Sequence, residues 1–375
     1  MPAVRSGPAT RLEGPPPPRG VLPSASEPVE APEHPPHRPW TVARVGRRRV
    51  VGLLAALLCL GVGLQLTWSS KSPKGARPIT ASGLTWESGA SGKQAEDGSY
   101  AAWRGRRLDI IGTWADNPQA SISMWMLQPG AGLSATAWHG DIDLAVGAIG
   151  TGESWASAAS GAYDARWATS LTNLRTAWGS RPGTVYLRFA HEMNGNWYPW
   201  SVNPSNVSDF LASWSRYRAL QKKIMPNAKL VFSVNRESSG MGMDWRRAFP
   251  GRDQVDLMSV DYYNQYPFVR TAQEWTQSIT QTDGYGAPKG LRAHLAFAKS
   301  VGLPLAVSEW SNNADQGDSA AFMEGLHSFF VMNSGTGPGK LLYEVQFNVD
   351  QDATRWALFP ATRAPQAAAA YRRLW

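Results

Sequence analysis

Two glutamates stand after short apolar runs that are typical of buried β-strands. Glu192 follows the run 184–190 after one intervening residue, and Glu309 follows the run 304–308 directly. Hydrolysis of a glycosidic bond by double displacement needs one protonated and one ionised carboxyl group, held about 5 to 5.5 Å apart. Glu192 and Glu309 can supply such a pair if the fold brings the two strand ends together.

Polar and aromatic residues accompany both glutamates. Arg188 is a candidate for the positive charge that keeps a nucleophilic carboxylate ionised, or that positions Glu309. His191 is expected to orient a carboxylate, because the sequence offers no partners for a metal site around it. Flat rings that stack on sugar faces, together with amide side chains, are typical of a polysaccharide cleft. The further substrate-binding or positioning candidates are Asn194, Trp197, Tyr198, Trp200, Asn235 and Trp310.

From about Ile79 onward, short β-rich runs alternate with longer helical patterns. This alternation predicts an α/β fold with a parallel sheet, and eight strands are enough to close a (β/α)8 TIM barrel. The predicted strands are 84–86, 108–113, 121–127, 184–190, 229–234, 255–261, 304–308 and 341–347, and the predicted helices include 164–178, 207–225, 291–301 and 319–332. Reactive groups of such barrels lie at the carboxyl ends of the strands. The two glutamates would therefore follow strands four and seven, across the barrel mouth from one another.

The stretch 128–161 is too long for an ordinary connection between a strand and a helix. It is rich in Gly, Ala and Ser and contains Trp138 and Trp155. We interpret it as a loop excursion on the active face, although residues 141–149 could also form a strand.

The N-terminal fifth of the chain differs in composition from the rest. Residues 1–49 form a basic, Pro-rich tail that is expected to be disordered, because it has too little apolar surface to offset its ordering entropy. Residues 50–68 are uncharged and nearly match the thickness of a bilayer, which predicts a transmembrane or signal-anchor segment. A linker at 69–78 and a catalytic barrel at 79–375 follow. We expect the barrel outside the cell membrane, anchored or, if the apolar segment is cleaved, secreted.

Composition limits the classes of function. The chain has 18 Trp and a formal net charge of +8. So many Trp residues predict exposed aromatic platforms in addition to core packing. A cluster of Arg residues stands ahead of the apolar segment and the other basic residues are scattered. No basic helix or basic-aromatic stripe occurs in the barrel region, so nucleic acid is not an expected partner. Cys59 is the single cysteine and lies in the apolar segment, which excludes an intrachain disulfide and a Cys-based metal site.

The run from Arg188 to Trp200, RFAHEMNGNWYPW, resembles the acid/base signature of glycoside hydrolase family 26. That family holds endo-β-mannanases together with some β-glucanases and xylanases, and its clan carries acid/base and nucleophile glutamates after strands four and seven. The resemblance implies that Glu192 is the acid/base and Glu309 the nucleophile. It also implies a tyrosine hydrogen-bonded to the nucleophile after strand six, and Tyr263 in the run VDYYN matches that position.

The resemblance covers roughly residues 79–347 and includes two departures. Tyr198 and Pro199 stand where mannanases of the family tend to carry Trp, which bears on the specificity for mannan. The segment 124–129, taken as the end of strand three, has Gln128 where relatives often carry a glutamate, which would alter a subsite. The leading hypothesis is a retaining endo-β-glycanase that acts on β-1,4-linked polysaccharide of the mannan or glucan type and requires no cofactor. The alternative is a non-catalytic glycan-binding barrel in polysaccharide export or remodelling.

Overall fold

The computed structural model describes residues 80–135, 137–349 and 354–375. The predicted tail at 1–49, the apolar segment at 50–68 and the linker at 69–78 lie outside the described residues. Within the described part of the chain, no helix combines the length and the apolar character needed to cross a membrane.

Eight parallel strands close into a barrel in the order in which they occur in the sequence, with β8 pairing with β1. The strands are β1 (Glu87–Ser91), β2 (Ile110–Ala115), β3 (Asp141–Val146), β4 (Val185–Phe189), β5 (Lys229–Asn235), β6 (Leu257–Asp261), β7 (Leu305–Trp310) and β8 (Leu341–Gln346). Nearly all of their residues are buried, as expected for parallel strands whose two faces are both covered. The predicted (β/α)8 barrel is confirmed.

Helices follow the strands around the outside of the barrel. They are α1 (Lys93–Glu96), α2 (Ser99–Arg104), α3 (Pro118–Ser123), α4 (Gly132–Ala135), α5 (Trp155–Ala159), α6 (Asp164–Trp178), α7 (Val207–Ile224), α8 (Ala272–Ser278), α9 (Leu291–Ser300), α10 (Ala320–Asn333) and α11 (Pro365–Leu374). Short 3-10 turns occupy Trp125–Leu127, Trp245–Ala248 and Arg252–Gln254. The four long helices predicted from the sequence are confirmed to within one residue at each end.

The predicted third strand, 121–127, is wrong. Asn117 accepts a hydrogen bond from the amide of Ala120 at 2.8 Å, and Pro118 occupies the first turn, so this segment begins a helix. The true third strand is Asp141–Val146, within the stretch 141–149 that the sequence left open. Gln128 therefore does not end a strand, so the expected comparison with a glutamate after strand three does not apply to it; its amide donates to Ser123 O at 2.7 Å.

The first strand begins at Glu87 and not at the predicted 84–86. Its sequence, ESGAS, consists mostly of small residues and carries almost no hydrophobic signal. The small size has a structural cause, because a Cβ on Gly89 would lie 2.2 Å from Ile110 O on the neighbouring strand. Only glycine fits at this point of the barrel wall.

Most of the Trp residues in the described chain are buried and pack in the core, whereas Trp125 and Trp197 are exposed, at 48% and 43%, and fit the predicted platforms. Phe189, on the outer face of β4, packs edge-on against Trp167 and Trp214 and stacks on Tyr217 with ring centroids 3.9 Å apart. Most of the buried indole N–H groups have internal acceptors, as when Trp167 donates to Ala148 O at 2.9 Å, whereas the N–H of Trp155 has no partner among the described residues. Indole polarity is therefore compatible with a core role in this protein.

Candidate active site

The turn after β4 carries Glu192 into the barrel mouth. Ala190 and Glu192 both have positive φ, 54° and 53°, a conformation that non-glycine residues rarely adopt. Backbone hydrogen bonds hold the turn: the Glu192 amide donates to Ser233 O at 3.2 Å, and the Gly195 amide donates to Glu192 O at 2.9 Å. Backbone strain of this kind is typical of functional positions, because the surrounding structure must stabilise it.

Two donors hold the Glu192 carboxylate. The side-chain amide of Asn235 donates to Oε1 at 2.5 Å, and the indole of Trp197 donates to Oε2 at 2.7 Å. Burial, followed by repulsion from Glu309, raises the pKa of Glu192 to about 7. A carboxyl group with this pKa is protonated through the acidic and near-neutral range, as a general acid requires.

A paired contact between Asn194 and Asn235 fixes the donor to Glu192. The Asn194 amide donates to Asn235 O at 2.7 Å, and the Asn235 backbone amide donates to Asn194 Oδ1 at 2.8 Å. Asn194 is fully buried. It therefore acts as a positioning residue and does not line the cleft, whereas Asn235 contacts the glutamate directly.

Glu309 receives three donors, two from strands β2 and β4 and one from the loop directly after β6. Trp114 and Arg188 donate to Oε1 at 2.8 and 2.9 Å, and the Tyr263 hydroxyl donates to Oε2 at 2.8 Å. The Tyr263 contact is the one that the resemblance implied. These three contacts fix the orientation of the Glu309 carboxylate, as a nucleophile requires.

Glu309 reaches the barrel interior because β7 contains an irregularity. Ser259 of β6 pairs with Ala306, but Asp261 pairs with Glu309, so β7 has one extra residue over this stretch. The Ser308 hydroxyl already contacts Tyr343 in the interior at 3.5 Å. A strictly alternating strand would turn the next side chain outward, and the bulge instead lets Glu309 point inward.

Arg188 is fully buried and contacts three carboxylates. Its Nη1 lies 3.2 Å from Asp261 and its Nη2 lies 2.9 Å from Glu309, while its Nε pairs with Asp143. One guanidinium thus faces more acidic groups than it can neutralise. Burial, followed by repulsion from Glu309, raises the pKa of Asp261 well above its usual value, which favours its protonated form.

The carboxylates of Glu192 and Glu309 face one another across the mouth. One oxygen from each of Glu192, Asp261 and Glu309 lies within 4.8 Å of the other two. Three carboxylates so close together could also hold a divalent cation. In this site, however, the positively charged guanidinium of Arg188 already contacts both Asp261 and Glu309. A glycosidic bond placed between the two glutamates could receive a proton from one side and a nucleophile from the other.

His191, Tyr198 and Trp200 form an aromatic group behind Glu192. The Tyr198 hydroxyl is 3.1 Å from His191 Nε2, Trp200 donates to His191 O at 2.8 Å, and the rings of Tyr198 and Trp200 stack at 4.4 Å. Burial lowers the pKa of His191 well below its usual value, so the ring is neutral. The nearest carboxylate oxygen to this ring is Asp116 Oδ1, at 3.8 Å.

Trp310 is not part of the cleft, and its prediction as a substrate residue is wrong. The side chain points out of the barrel, is fully buried, and donates to Glu344 Oε2 at 2.6 Å. Its ring packs against Phe330 of α10 and Trp375. Adjacent residues on a strand face opposite sides, so Glu309 and Trp310 cannot both point into the barrel.

Sequence reasoning did not assign Trp114, Asp116, Asp143 and Asp261 to the site. Asp143 was missed because the third strand was misplaced, and Asp116 follows β2 at the same edge of the barrel as Glu192. Asp261 stands in the quoted run VDYYN, directly before the expected tyrosine segment. A search for every polar residue at a strand end would have found Asp116 and Asp261.

No protein-family model matches the chain. A curated relative, endoglucanase H from Acetivibrio thermocellus, is 28% identical over 196 residues, which cover 50% of this chain and 20% of that protein. Among solved structures, the catalytic domain of a Bacillus family 26 endo-β-1,4-mannanase has 14% identity and a TM-score of 0.52, with 78% of this chain and 86% of that chain covered. An endo-1,4-β-D-mannanase from Thermotoga petrophila has 10% identity and a TM-score of 0.50, with 77% and 98% covered.

The matched segment thus spans about a fifth of the length of endoglucanase H. At 10% and 14% identity, the two solved structures show that this chain shares the barrel fold of the mannanases. The resemblance to glycoside hydrolase family 26 expected from the sequence is confirmed at this level. The relatives named here are glycoside hydrolases, the class of enzyme that the sequence predicted.

Proposed function

We propose that this chain is a retaining endo-β-glycanase in which Glu192 is the acid/base and Glu309 is the nucleophile. The proposal rests on the separation of the two carboxylates: one oxygen of Glu192 lies within 4.8 Å of one oxygen of Glu309. Inverting enzymes need about 6.5 to 9.5 Å to admit a water molecule between the sugar and the base. The spacing here suits direct attack by a carboxylate.

In the first step, a Glu309 oxygen attacks the anomeric carbon while Glu192 donates its proton to the departing glycosidic oxygen. The bond to the leaving sugar breaks, and a glycosyl ester forms on Glu309. In the second step, the ionised Glu192 takes a proton from water, whose oxygen attacks the same carbon and releases Glu309. Two inversions give a product with the starting anomeric configuration.

Hydrogen bonds divide the roles between the two glutamates. Tyr263 and Trp114 donate to Glu309, and both bonds are available to the carboxylate before it attacks. Trp197 is 43% exposed beside Glu192, and its ring offers a flat surface to a bound sugar. The site therefore combines a fixed nucleophile with an acid at the edge of an aromatic platform.

A β-1,4-linked polysaccharide of the mannan type is the proposed substrate, with β-glucan as a second candidate. The solved neighbours are named as endo-β-1,4-mannanases and the curated relative as an endoglucanase. Exposure of the catalytic barrel outside the cell membrane is also a proposal. It rests on the apolar residues 50–68, as read from the sequence.

Hydrolysis of mannan, glucomannan, lichenan and xylan by the full-length protein would test the proposal. We expect release of oligosaccharides from at least one β-glycan, and proton NMR of early products should show the β-anomer first. An initial α-anomer would refute double displacement. Tight binding of oligosaccharides in calorimetry, with no reducing sugar released from any glycan, would favour the glycan-binding alternative.

A further inference from the structure

Asp116 is a cleft carboxylate that directly follows β2. Trp114, two positions earlier on this strand, reaches Glu309 with its indole at 2.8 Å. Side chains two apart on a strand share a face, so Asp116 is directed to the same side as Trp114. Its Oδ1 lies 3.8 Å from His191 Nε2, which places the carboxylate beside the turn that carries Glu192.

The Oδ1 atom of Asp116 is buried and has no hydrogen-bond partner among the described residues. His191 Nε2 is too far away to donate a hydrogen bond and already contacts the Tyr198 hydroxyl. The Asp116 side chain as a whole is 34% exposed, so it is open to the cleft. A buried, unpaired carboxylate oxygen is costly, and a bound donor would remove that cost.

The backbone around Asp116 is rigid. The amide of Gly147, at the end of β3, donates to Ala115 O at 3.0 Å. A Cβ on Gly147 would lie 2.2 Å from Asp116 O, so the two chain segments meet at a distance that only glycine allows. This close packing fixes the backbone of Asp116 against β3, so the start of its side chain is positioned before a substrate arrives.

We propose that Asp116 accepts hydrogen bonds from the hydroxyl groups of the sugar whose anomeric carbon faces Glu309, and that it selects neutral glycans against uronic acids. This inference rests on the proposed function, because it takes Glu309 as the nucleophile. The sugar attacked by Glu309 must lie next to Glu309. Trp114 contacts Glu309, and Asp116, two residues after Trp114, faces the same side of the chain. A carboxylate is an acceptor with two oxygens, which suits adjacent sugar hydroxyls.

The charges around the cleft support the exclusion of uronic acids. Arg188 is already in contact with three carboxylates, and the neutral His191 supplies no positive charge. A carboxylate on the sugar would face Asp116 and Glu309, and neither Arg188 nor His191 could compensate its charge. Like charges in a water-poor site repel one another strongly.

A double-mutant cycle between enzyme and substrate would test the proposal. The full-length protein and its Asp116→Asn and Asp116→Ala variants are assayed on aryl β-glycosides of a neutral sugar, on the same glycosides lacking one hydroxyl, and on the matching uronate. The assays are run at pH 8, because burial and repulsion from Glu309 raise the pKa of Asp116 to about 7. The carboxylate is then mostly ionised in the wild type.

We expect Asp116→Ala to lower kcat/KM on the neutral glycoside by about 10- to 100-fold, as for a hydrogen bond to a charged group. Removal of the contacted hydroxyl from the substrate should lower kcat/KM of the wild type by a similar factor. It should leave kcat/KM of Asp116→Ala almost unchanged. The preference for the neutral sugar over the uronate should shrink in both variants. If every deoxy substrate loses the same factor with wild type and variant, Asp116 does not bind the sugar and the proposal is refuted.

Glu153→Gln is the matched control. Glu153 is a carboxylate of similar exposure, 25%, in the loop after β3, but it is paired with Arg166 at 2.6 Å. Its substitution should leave both substrate ratios unchanged. Glu192→Gln separates the two proposals, because wild-type turnover in that variant would overturn the catalytic assignment. If Asp116→Ala has the same ratio of kcat/KM on complete and deoxy glycosides as the wild type, only the proposal for Asp116 is overturned.

Discussion

The indole of Trp114 on β2 donates a hydrogen bond to Oε1 of Glu309 on β7, at 2.8 Å. The two residues are 195 positions apart in the sequence and meet only because the barrel closes. Trp114 and Tyr263 take one oxygen each, so the carboxylate is held from both sides. In the proposed mechanism, this arrangement would hold Glu309 in a fixed orientation for attack on the sugar.

Trp114→Phe and Tyr263→Phe should each lower kcat/KM by about 10- to 100-fold, because each removes one hydrogen bond to a charged group. Steady-state kinetics on a cleaved glycan would measure the loss. Trp103→Phe is the control, since Trp103 stacks on Tyr371 in the helix layer at 5.8 Å and has no contact with either glutamate. Equal losses in all three variants would point to a general loss of stability and not to the nucleophile.

The two glutamates should differ in their response to the leaving group. Glu192→Ala should retain substantial formation of the glycosyl ester from dinitrophenyl glycosides, because such a leaving group needs no proton, but should lose orders of magnitude on polysaccharide. Glu309→Ala should be inactive on both. Pre-steady-state release of dinitrophenolate measures the first step, and a burst in the Glu309 variant would contradict its role as nucleophile.

The pH dependence of kcat/KM should show an alkaline limb near pH 7, because Glu192, with a pKa of about 7, must be protonated to act as the acid. Asn235→Ala should move this limb to higher pH, since the Asn235 amide hydrogen bond stabilises the ionised form. The limb is measured from rates between pH 5 and 9. A limb that stays in place or moves to lower pH in Asn235→Ala would show that another group controls it.

Protein stability should also depend on the charge of Glu192. Its pKa is raised from 4.5 to about 7 on folding, so the folded state binds more protons than the unfolded state between these values, and stability falls as pH rises through this window. Glu192→Gln should therefore increase the free energy of unfolding at pH 8 by up to about 3 kcal/mol and leave it nearly unchanged at pH 4. Urea denaturation at both pH values tests this; destabilisation at pH 8 would contradict it.

Gly89→Ala should destabilise the barrel by about 3 kcal/mol, because the new Cβ would lie 2.2 Å from the carbonyl oxygen of Ile110. Gly284→Ala is the matched control, since no atom lies within 4 Å of the position of its Cβ. Urea denaturation of both variants gives the difference. A Gly89 variant as stable as the control would mean that β1 can shift relative to β2 at little cost.

The sequence was most informative where local pattern and local structure coincide. The amphipathic helix 164–178 has the predicted limits, and the acid turn is contiguous in the sequence, so both could be located directly. The third strand could not, because Asp141–Val146 follows a Gly-rich stretch and an apolar segment nearby is equally consistent with a strand. The cap at Asn117 was the overlooked signal.

The partners of Glu309 lie outside the reach of local pattern. Trp114 lies on β2, Arg188 on β4 and Tyr263 just after β6, and their convergence depends on barrel register and on a bulge in β7. Tyr263 was found through the family resemblance and Arg188 through its position near a strand end. Trp310 was misassigned because its proximity to Glu309 in sequence outweighed the alternation of side chains along a strand.

Trp197 provides the acid with a built-in optical reporter. Its indole is 43% exposed and bonded to Glu192, whereas most other indoles of the described chain are enclosed in the core. Proton transfer at Glu192 and the stacking of a sugar would both alter the emission of this one fluorophore. A difference spectrum between the wild type and Trp197→Phe could therefore follow ionisation of the acid and arrival of a glycan in real time, with no external label.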